Sequence, residues 1–119
     1  MEIGYQVKAK TIAEFLNKTF GTNYKLWLKS TYELDNSTTV WMIKIDGEKR
    51  NTFKNYFDNE NIVEESYEEK TRSLKPIRMV FQIVEKENSK TFVYLGNYTL
   101  NKEKSTKEKR IFSPIKDVL

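Results

Sequence analysis

Apolar and polar residues alternate with a period of two over most of the second half of this chain. Over one stretch of the first half the period is near 3.6. The clearest alternation lies in residues 77–86 (IRMVFQIVEK) and 90–100 (KTFVYLGNYTL), joined by the polar Glu87-Asn88-Ser89. β-Branched and aromatic residues at every second position predict two strands with one buried face. Residues 109–115 (KRIFSPI) predict a further strand, which Pro114 confines to a sheet edge. The polar, lysine-rich connection over 101–109 reads as a mobile loop.

Residues 11–20 carry the helical period. Ile12, Phe15, Leu16 and Phe20 fall on one face, Thr11 and Glu14 have capping-box spacing, and Gly21 supplies a left-handed stop. Residues 23–34 alternate, with Tyr24, Leu26 and Leu28 on one side and Lys25, Trp27 and Lys29 on the other, which predicts a strand. Asp35-Asn36-Ser37 is a turn cluster. Residues 38–45 (TTVWMIKI) predict a second strand antiparallel to the first, and Asp46-Gly47 is the strongest hairpin signal in the chain. Phe53, Tyr56 and Phe57 have helical spacing and predict a short middle helix ended by Asn59 or Asn61. Ile62-Val63 begins a short strand, and residues 64–72 read as a charged, solvated loop. The expected fold is α+β in one domain over 1–119. It is a small, mostly antiparallel β-barrel or half-barrel of five or six strands, with an N-terminal helix and one short middle helix.

Composition narrows the chemistry. At 119 residues the chain is long enough for one core and too short for two. It has neither cysteine nor histidine, which removes disulfides, thiolate metal sites and the commonest general base. No metal or cofactor site is expected, and catalysis would fall to paired carboxylates for which no spacing argues. The expectation is a non-catalytic protein. No stretch has membrane-spanning length or the apolar core of a signal peptide, so the expected location is the cytoplasm. Net charge is +4, from 21 basic and 17 acidic residues, a mild bias that suits a polyanionic partner. Richness in Lys and Asn points to an AT-rich coding source.

The wording of the second half adds a family resemblance. Residues 75–83 (KPIRMVFQI), 92–98 (FVYLGNY) and Arg110-Ile111-Phe112 resemble a strand signature of PUA-like β-barrels. In particular they resemble the SRA/YDG-like modules attached to bacterial restriction endonucleases and helicases. Residues 53–57 (FKNYF) with Ile62-Val63-Glu64-Glu65 resemble the segment that precedes the barrel. Glycine-rich pocket motifs found upstream in such modules are absent here, and residues 1–46 match nothing in them. The resemblance implies a module that binds duplex DNA and extrudes a base, often a modified one, onto aromatic and hydrogen-bonding side chains.

Candidate contacts follow from residue chemistry. Trp27 between Lys25 and Lys29 suits stacking with phosphate neutralisation, or else cover by the N-terminal helix. Trp41, in a strand, reads as core first and as a stacking platform second. Lys49, Arg50, Lys54 and Asn55 surround the Asp46-Gly47 turn, and Arg and Asn are the types that fork onto phosphates and base edges. Lys70, Arg72, Lys75 and Arg78 form a second basic group behind the acidic Glu64, Glu65, Glu68 and Glu69. The densest basic run is Lys102, Lys104, Lys107, Lys109 and Arg110. Asn97 shares a face with Val93 and Leu95, where it ties down a loop or lines a pocket. The expected partner is nucleic acid, DNA ahead of RNA. The alternative is a host defence protein, bound and inhibited by a small phage or mobile-element protein.

Overall fold

The computed structural model describes residues 1–50, 53–66 and 74–116. The predicted helix is present as α1 (Ile12–Phe20). The Thr11 hydroxyl accepts from the Glu14 N–H at 3.1 Å, and the Glu14 carboxylate reaches back to the Lys10 N–H, also at 3.1 Å. Gly21 closes the helix at φ 70°, a left-handed position that suits glycine.

The described residues also form eight strands, more than the five or six expected: β1 (Gln6–Ala9), β2 (Thr31–Glu33), β3 (Thr38–Ile43), β4 (Phe53–Asp58), β5 (Asn61–Ser66), β6 (Ile77–Lys86), β7 (Ser89–Leu100) and β8 (Lys109–Pro114). They form one mixed sheet in the order β2-β3-β6-β7-β8-β5-β4, with β1 added along β7. All pairings are antiparallel except β3 with β6. Strand β7 is long enough to divide one edge between two partners, β1 beside residues 90–93 and β8 beside 98–100. The architecture is the expected small α+β, PUA-like one, but the sheet is not closed into a barrel, and β2 and β4 are its ends. It curls far enough to bring the Phe112 ring of β8 to 5.2 Å from that of Trp41 in β3.

Three local expectations change. The middle helix over 53–57 is strand β4, because Asn59, at φ 57°, turns the chain back and β5 pairs with it residue by residue from Asp58↔Asn61 to Phe53↔Ser66. The strand over 23–34 is reduced to Thr31–Glu33, since only those residues lie beside β3. Strand β8 is interior, flanked by β7 and β5, and Pro114 is tolerated as its last residue, beyond the stretch that β5 pairs.

Both faces of the sheet are covered at β3, which is why it is apolar without interruption from Val40 to Ile43. Val40, Met42, Phe81, Phe92 and Tyr94 pack with Phe15 and Leu16 of α1, where the Phe15 and Phe92 rings stack at 4.2 Å. The alternate positions Trp41, Ile43 and Val80 turn into the curl against Ile62, Tyr98 and Phe112. In the 92–98 segment, the backbone conformation of Gly96 calls for glycine, and its space is bounded by the exposed Ile3 side chain. Its φ is 113°, and a Cβ there would meet the Ile3 side chain at 3.2 Å. Beside it the β6–β7 register shifts between Val80 and Phe81, so the glycine marks a bulge.

Candidate nucleic-acid interface

The inside of the curl holds the most unusual chemistry of the molecule. Asn55 of β4, Glu64 of β5 and Arg110 of β8 lie directly opposite one another across neighbouring strands. Arg78 reaches them from β6. Its side chain is 8% exposed, its Nη1 lies 3.7 Å from one Glu64 oxygen, and Arg110 lies 3.5 Å from the other. The guanidinium carbon of Arg78 sits 4.4 Å from the Trp41 ring centre and 4.5 Å from that of Phe112. With the two rings only 5.2 Å apart, the three centres form a near-equilateral triangle, not a sandwich with a slot for a planar ligand. Burial pulls the Arg78 pKa below the usual arginine range, and the Glu64 carboxylate opposes that shift.

Arg78 Nη1 and Asn55 Oδ1 are buried atoms of this group that make no hydrogen bond, although Arg78 Nη1 keeps its ion pair with Glu64 at 3.7 Å. Glu64, which reads as part of a solvated acidic loop, is 6% exposed. Parity carries the signal that places it, since Glu64 shares its strand face with Ile62 and Ser66, all three buried. Arg110 is likewise drawn from the lysine run into the interior. Trp41, at 1% exposure, is core and not a stacking platform.

The loop between α1 and β2 does not keep the expected alternation of faces. Trp27 turns inward, packing on Tyr24 at 4.7 Å and Tyr32 at 5.6 Å, and its indole N–H donates to the Thr31 carbonyl at 3.2 Å. It is half-buried against the α1-side core, so it is not the exposed stacking residue. The leucines point out instead, Leu26 at 68% and Leu28 at 84% exposure, between the exposed Lys25 and Lys29. The indole has the larger apolar surface, and with no strand paired to this stretch nothing else sets its register. Each exposed leucine forgoes roughly 1.5–3 kcal/mol of burial.

The remaining candidates are scattered. Arg50 forks onto Asp46 at 2.9 and 2.5 Å, so it is engaged within its own turn. That contact, with the Glu48 N–H, brings the Asp46 pKa down from 3.8 to about 2. A depressed carboxyl stabilises the fold above its unfolded pKa and loses that contribution as pH falls through the folded one. Acid titration followed by tyrosine and tryptophan fluorescence should therefore show about 0.2–1 kcal/mol of stability fading below pH 3.8. Asp46→Asn should lack this component at every pH, and an unchanged acid profile in that variant would sink the assignment.

The Asp46-Gly47 turn does not join adjacent strands. It carries the chain from β3 to the far end of the sheet, where the Gly47 N–H donates to the Asn55 carbonyl at 2.9 Å. Lys49 is exposed, and the Lys54 ammonium lies 5.4 Å from the Tyr56 ring centre. Asn97 is exposed and accepts a hydrogen bond from the Tyr94 hydroxyl at 2.8 Å, a tie within its own strand. Arg72 lies outside the described residues.

The 101–108 connection is an ordered turn. The Ser105 hydroxyl donates to the Asn101 carbonyl at 2.7 Å and accepts from the Ile111 N–H at 2.8 Å. Lys102, Lys104, Lys107 and Lys109 stand exposed around it. The basic groups thus lie in the 22–30 loop, around the Asp46-Gly47 turn and the start of β4, in the serine-pinned lysine turn and in the buried interior, and the second and third adjoin, since Lys54 and Lys109 face the same Glu65 from either side. Among the described residues no group of three or more acidic side chains could hold a metal ion, and no helix is long and apolar enough to cross a membrane.

No protein-family model matches this sequence, and no curated protein is similar to it. Among solved structures, the chain is similar to the 5-hydroxymethylcytosine-specific restriction enzyme AbaSI, with a TM-score of 0.70 and 19% sequence identity. The match covers 93% of this chain and 39% of that enzyme chain, so this chain corresponds to well under half of the enzyme. The match takes in the first half of the sequence as well as the second. At the level of fold, this chain resembles the SRA/PUA-like modules, and it has the fold of one part of a modified-cytosine-specific restriction enzyme.

Proposed function

We propose that this chain binds duplex DNA and reads a modified cytosine in it, without cutting the DNA itself. The observation that carries the reading is the fold likeness to AbaSI over 93% of the chain. Physical support comes from two places. The exposed lysines Lys25 and Lys29 of the 22–30 loop, Lys49, and Lys102, Lys104, Lys107 and Lys109 suit phosphate neutralisation. In the curl, Asn55 Oδ1 and Arg78 Nη1 are an acceptor and a donor without hydrogen-bond partners. A native fold retains such atoms for a reason, because each buried unsatisfied group costs about 1–3 kcal/mol. We assign these two to the edge of a base that reaches them where the curl opens, because both side chains are almost fully buried in the closed curl. Nothing in the fold or its likeness favours the alternative of a host-protein inhibitor.

The test is binding to labelled duplexes carrying cytosine, 5-methylcytosine or 5-hydroxymethylcytosine across a salt series. Log affinity should fall with log salt with a slope of about −0.9 for each phosphate neutralised. One modified base should be favoured by about tenfold, the size of one good hydrogen-bonded discrimination. Asn55→Leu should erase that preference and keep the salt slope. Binding that is weak, blind to the base and abolished by moderate salt would refute the proposal.

A further inference from the structure

The edges of the sheet are not treated alike. Strand β4 is covered by the 46–50 turn: Phe53 and Arg50 exchange backbone hydrogen bonds at 2.7 and 2.9 Å, and the Gly47 N–H holds the Asn55 carbonyl. Strand β2 is three residues long, and the Trp27 indole takes its Thr31 carbonyl. Among the described residues, strand β1 pairs with β7 and has no neighbour on its other side. The Tyr94 N–H donates to the Tyr5 carbonyl at 2.9 Å. By antiparallel alternation Val7 and Ala9 also bond toward β7, and the N–H and C=O groups of Gln6 and Lys8 face away. The Lys18 ammonium marks that direction, donating to the Lys8 carbonyl at 3.0 Å from α1. Beside the open edge lies a groove of about 370 Å³ whose lining includes Met1, Tyr5, Gln6, Lys8, Lys18 and Thr19. It contains two lysines and no carboxylate, and the Thr19 hydroxyl in it makes no hydrogen bond. Lys18 pairs with Glu14 at 3.0 Å, whereas Lys8 is exposed.

We propose that β1 and this groove take up an extended acidic peptide, which joins the sheet as a strand antiparallel to β1. The N–H and C=O of Gln6 and the N–H of Lys8 stand open for it, and Lys18 closes the far end. In strand addition the main-chain bonds supply affinity and the side chains at alternate positions supply selection. The residue opposite Lys8 shares its face and is a carboxylate, by cross-strand charge pairing. The residue opposite Val7 lies on the α1 side, where Val7 and the exposed Tyr5 ring favour an apolar side chain. A second copy of this chain fits less well. Each copy carries a net charge of +4, and contact along a four-residue strand falls far short of the roughly 1,200 Å² of a stable interface. The inference does not depend on the DNA-binding reading, because the groove lies beside α1, which covers the face of the sheet opposite the curl.

The test is an amide NMR titration of the full chain with the blocked peptide acetyl-Val-Glu-Val-Thr-Val-amide, and with the same peptide carrying Lys in place of Glu. The acidic peptide should move the Gln6 and Lys8 amide signals downfield and saturate with a Kd of about 1 mM or below, about fivefold tighter than the lysine peptide. Lys8→Glu alters an exposed side chain, so it should melt at the same temperature and reverse the preference between the two peptides. Gln6→Pro removes an N–H that faces away from β7, so it should keep the fold and lose the peptide. If Gln6→Pro unfolds, the reversal by Lys8→Glu decides alone. Equal binding of the two peptides, or a titration that leaves the Gln6 and Lys8 signals unmoved, would overturn the proposal. So would β1 signals that shift with protein concentration alone, since the edge would then pair with a second copy. Displacement of the acidic peptide by an unmodified DNA duplex would overturn it too, since the groove would then be a phosphate site.

Discussion

Glu64→Leu is expected to destabilise the fold by about 3–5 kcal/mol, because it strands the Arg78 cation among apolar neighbours. That is a large part of the roughly 5–15 kcal/mol that holds a domain of this kind together. Arg78→Leu should cost less, since Glu64 keeps Arg110 at 3.5 Å. The double variant Glu64→Leu/Arg78→Leu should recover much of the loss, because exchanging a buried pair for apolar side chains is often near neutral. Urea denaturation reads all three as shifts in midpoint at constant slope. Single variants that each cost under about 1 kcal/mol would show that the pair is not a buried anchor.

Trp41→Ala should also be severe, at about 3–5 kcal/mol, the usual range for deleting a buried aromatic. Trp41 touches Phe112 and lies over Arg78, so its loss opens a cavity and uncovers a buried cation together. Trp41→Phe should restore part of the stability. Thermal unfolding and intrinsic fluorescence check both variants. Any fall in DNA binding by Trp41→Ala should then track the unfolded fraction and disappear at temperatures where the variant is folded. A fully folded Trp41→Ala protein that had lost DNA affinity would instead make Trp41 a contact residue.

Legibility in the sequence varied with the kind of interaction. Helix α1 is readable because all its determinants are local: the Thr11 cap, the apolar stripe and the Gly21 stop. The β6–β7 hairpin is readable for the same reason, with Glu87-Asn88 as its tight connection. The 53–57 segment is not. Its aromatic spacing mimics a helix, and only β5, with Asn59 turning the chain, makes it a strand. The faces of residues 23–29 are unreadable because alternation says which residues share a side, not which side is covered. There the helix-borne Asn17 and the ring of Tyr32 decide that Trp27 is inside.

Site residues divide in the same way. Lys25, Lys29 and Lys49 are exposed as their chemistry suggests, whereas Arg78 and Asn55 are buried by a curl that no local pattern announces. Glu64 was within reach, since counting by twos from Ile62 puts it on the inner face.

The pairings of β1 and β3 also bear on how the chain is made. Residues 6–9 wait for residues 90–93, and residues 38–43 have only the three-residue β2 beside them until residues 77–82 are made. A ribosome releases the chain from its N-terminus, so Val40, Trp41 and Met42 emerge long before β6 and β7 exist to shelter them. Assembly of the whole sheet is therefore late, since β4 and β5 join the rest only through β8, at residues 109–114. During synthesis the exposed β3 segment is where a chaperone would bind and where a second nascent chain would stick.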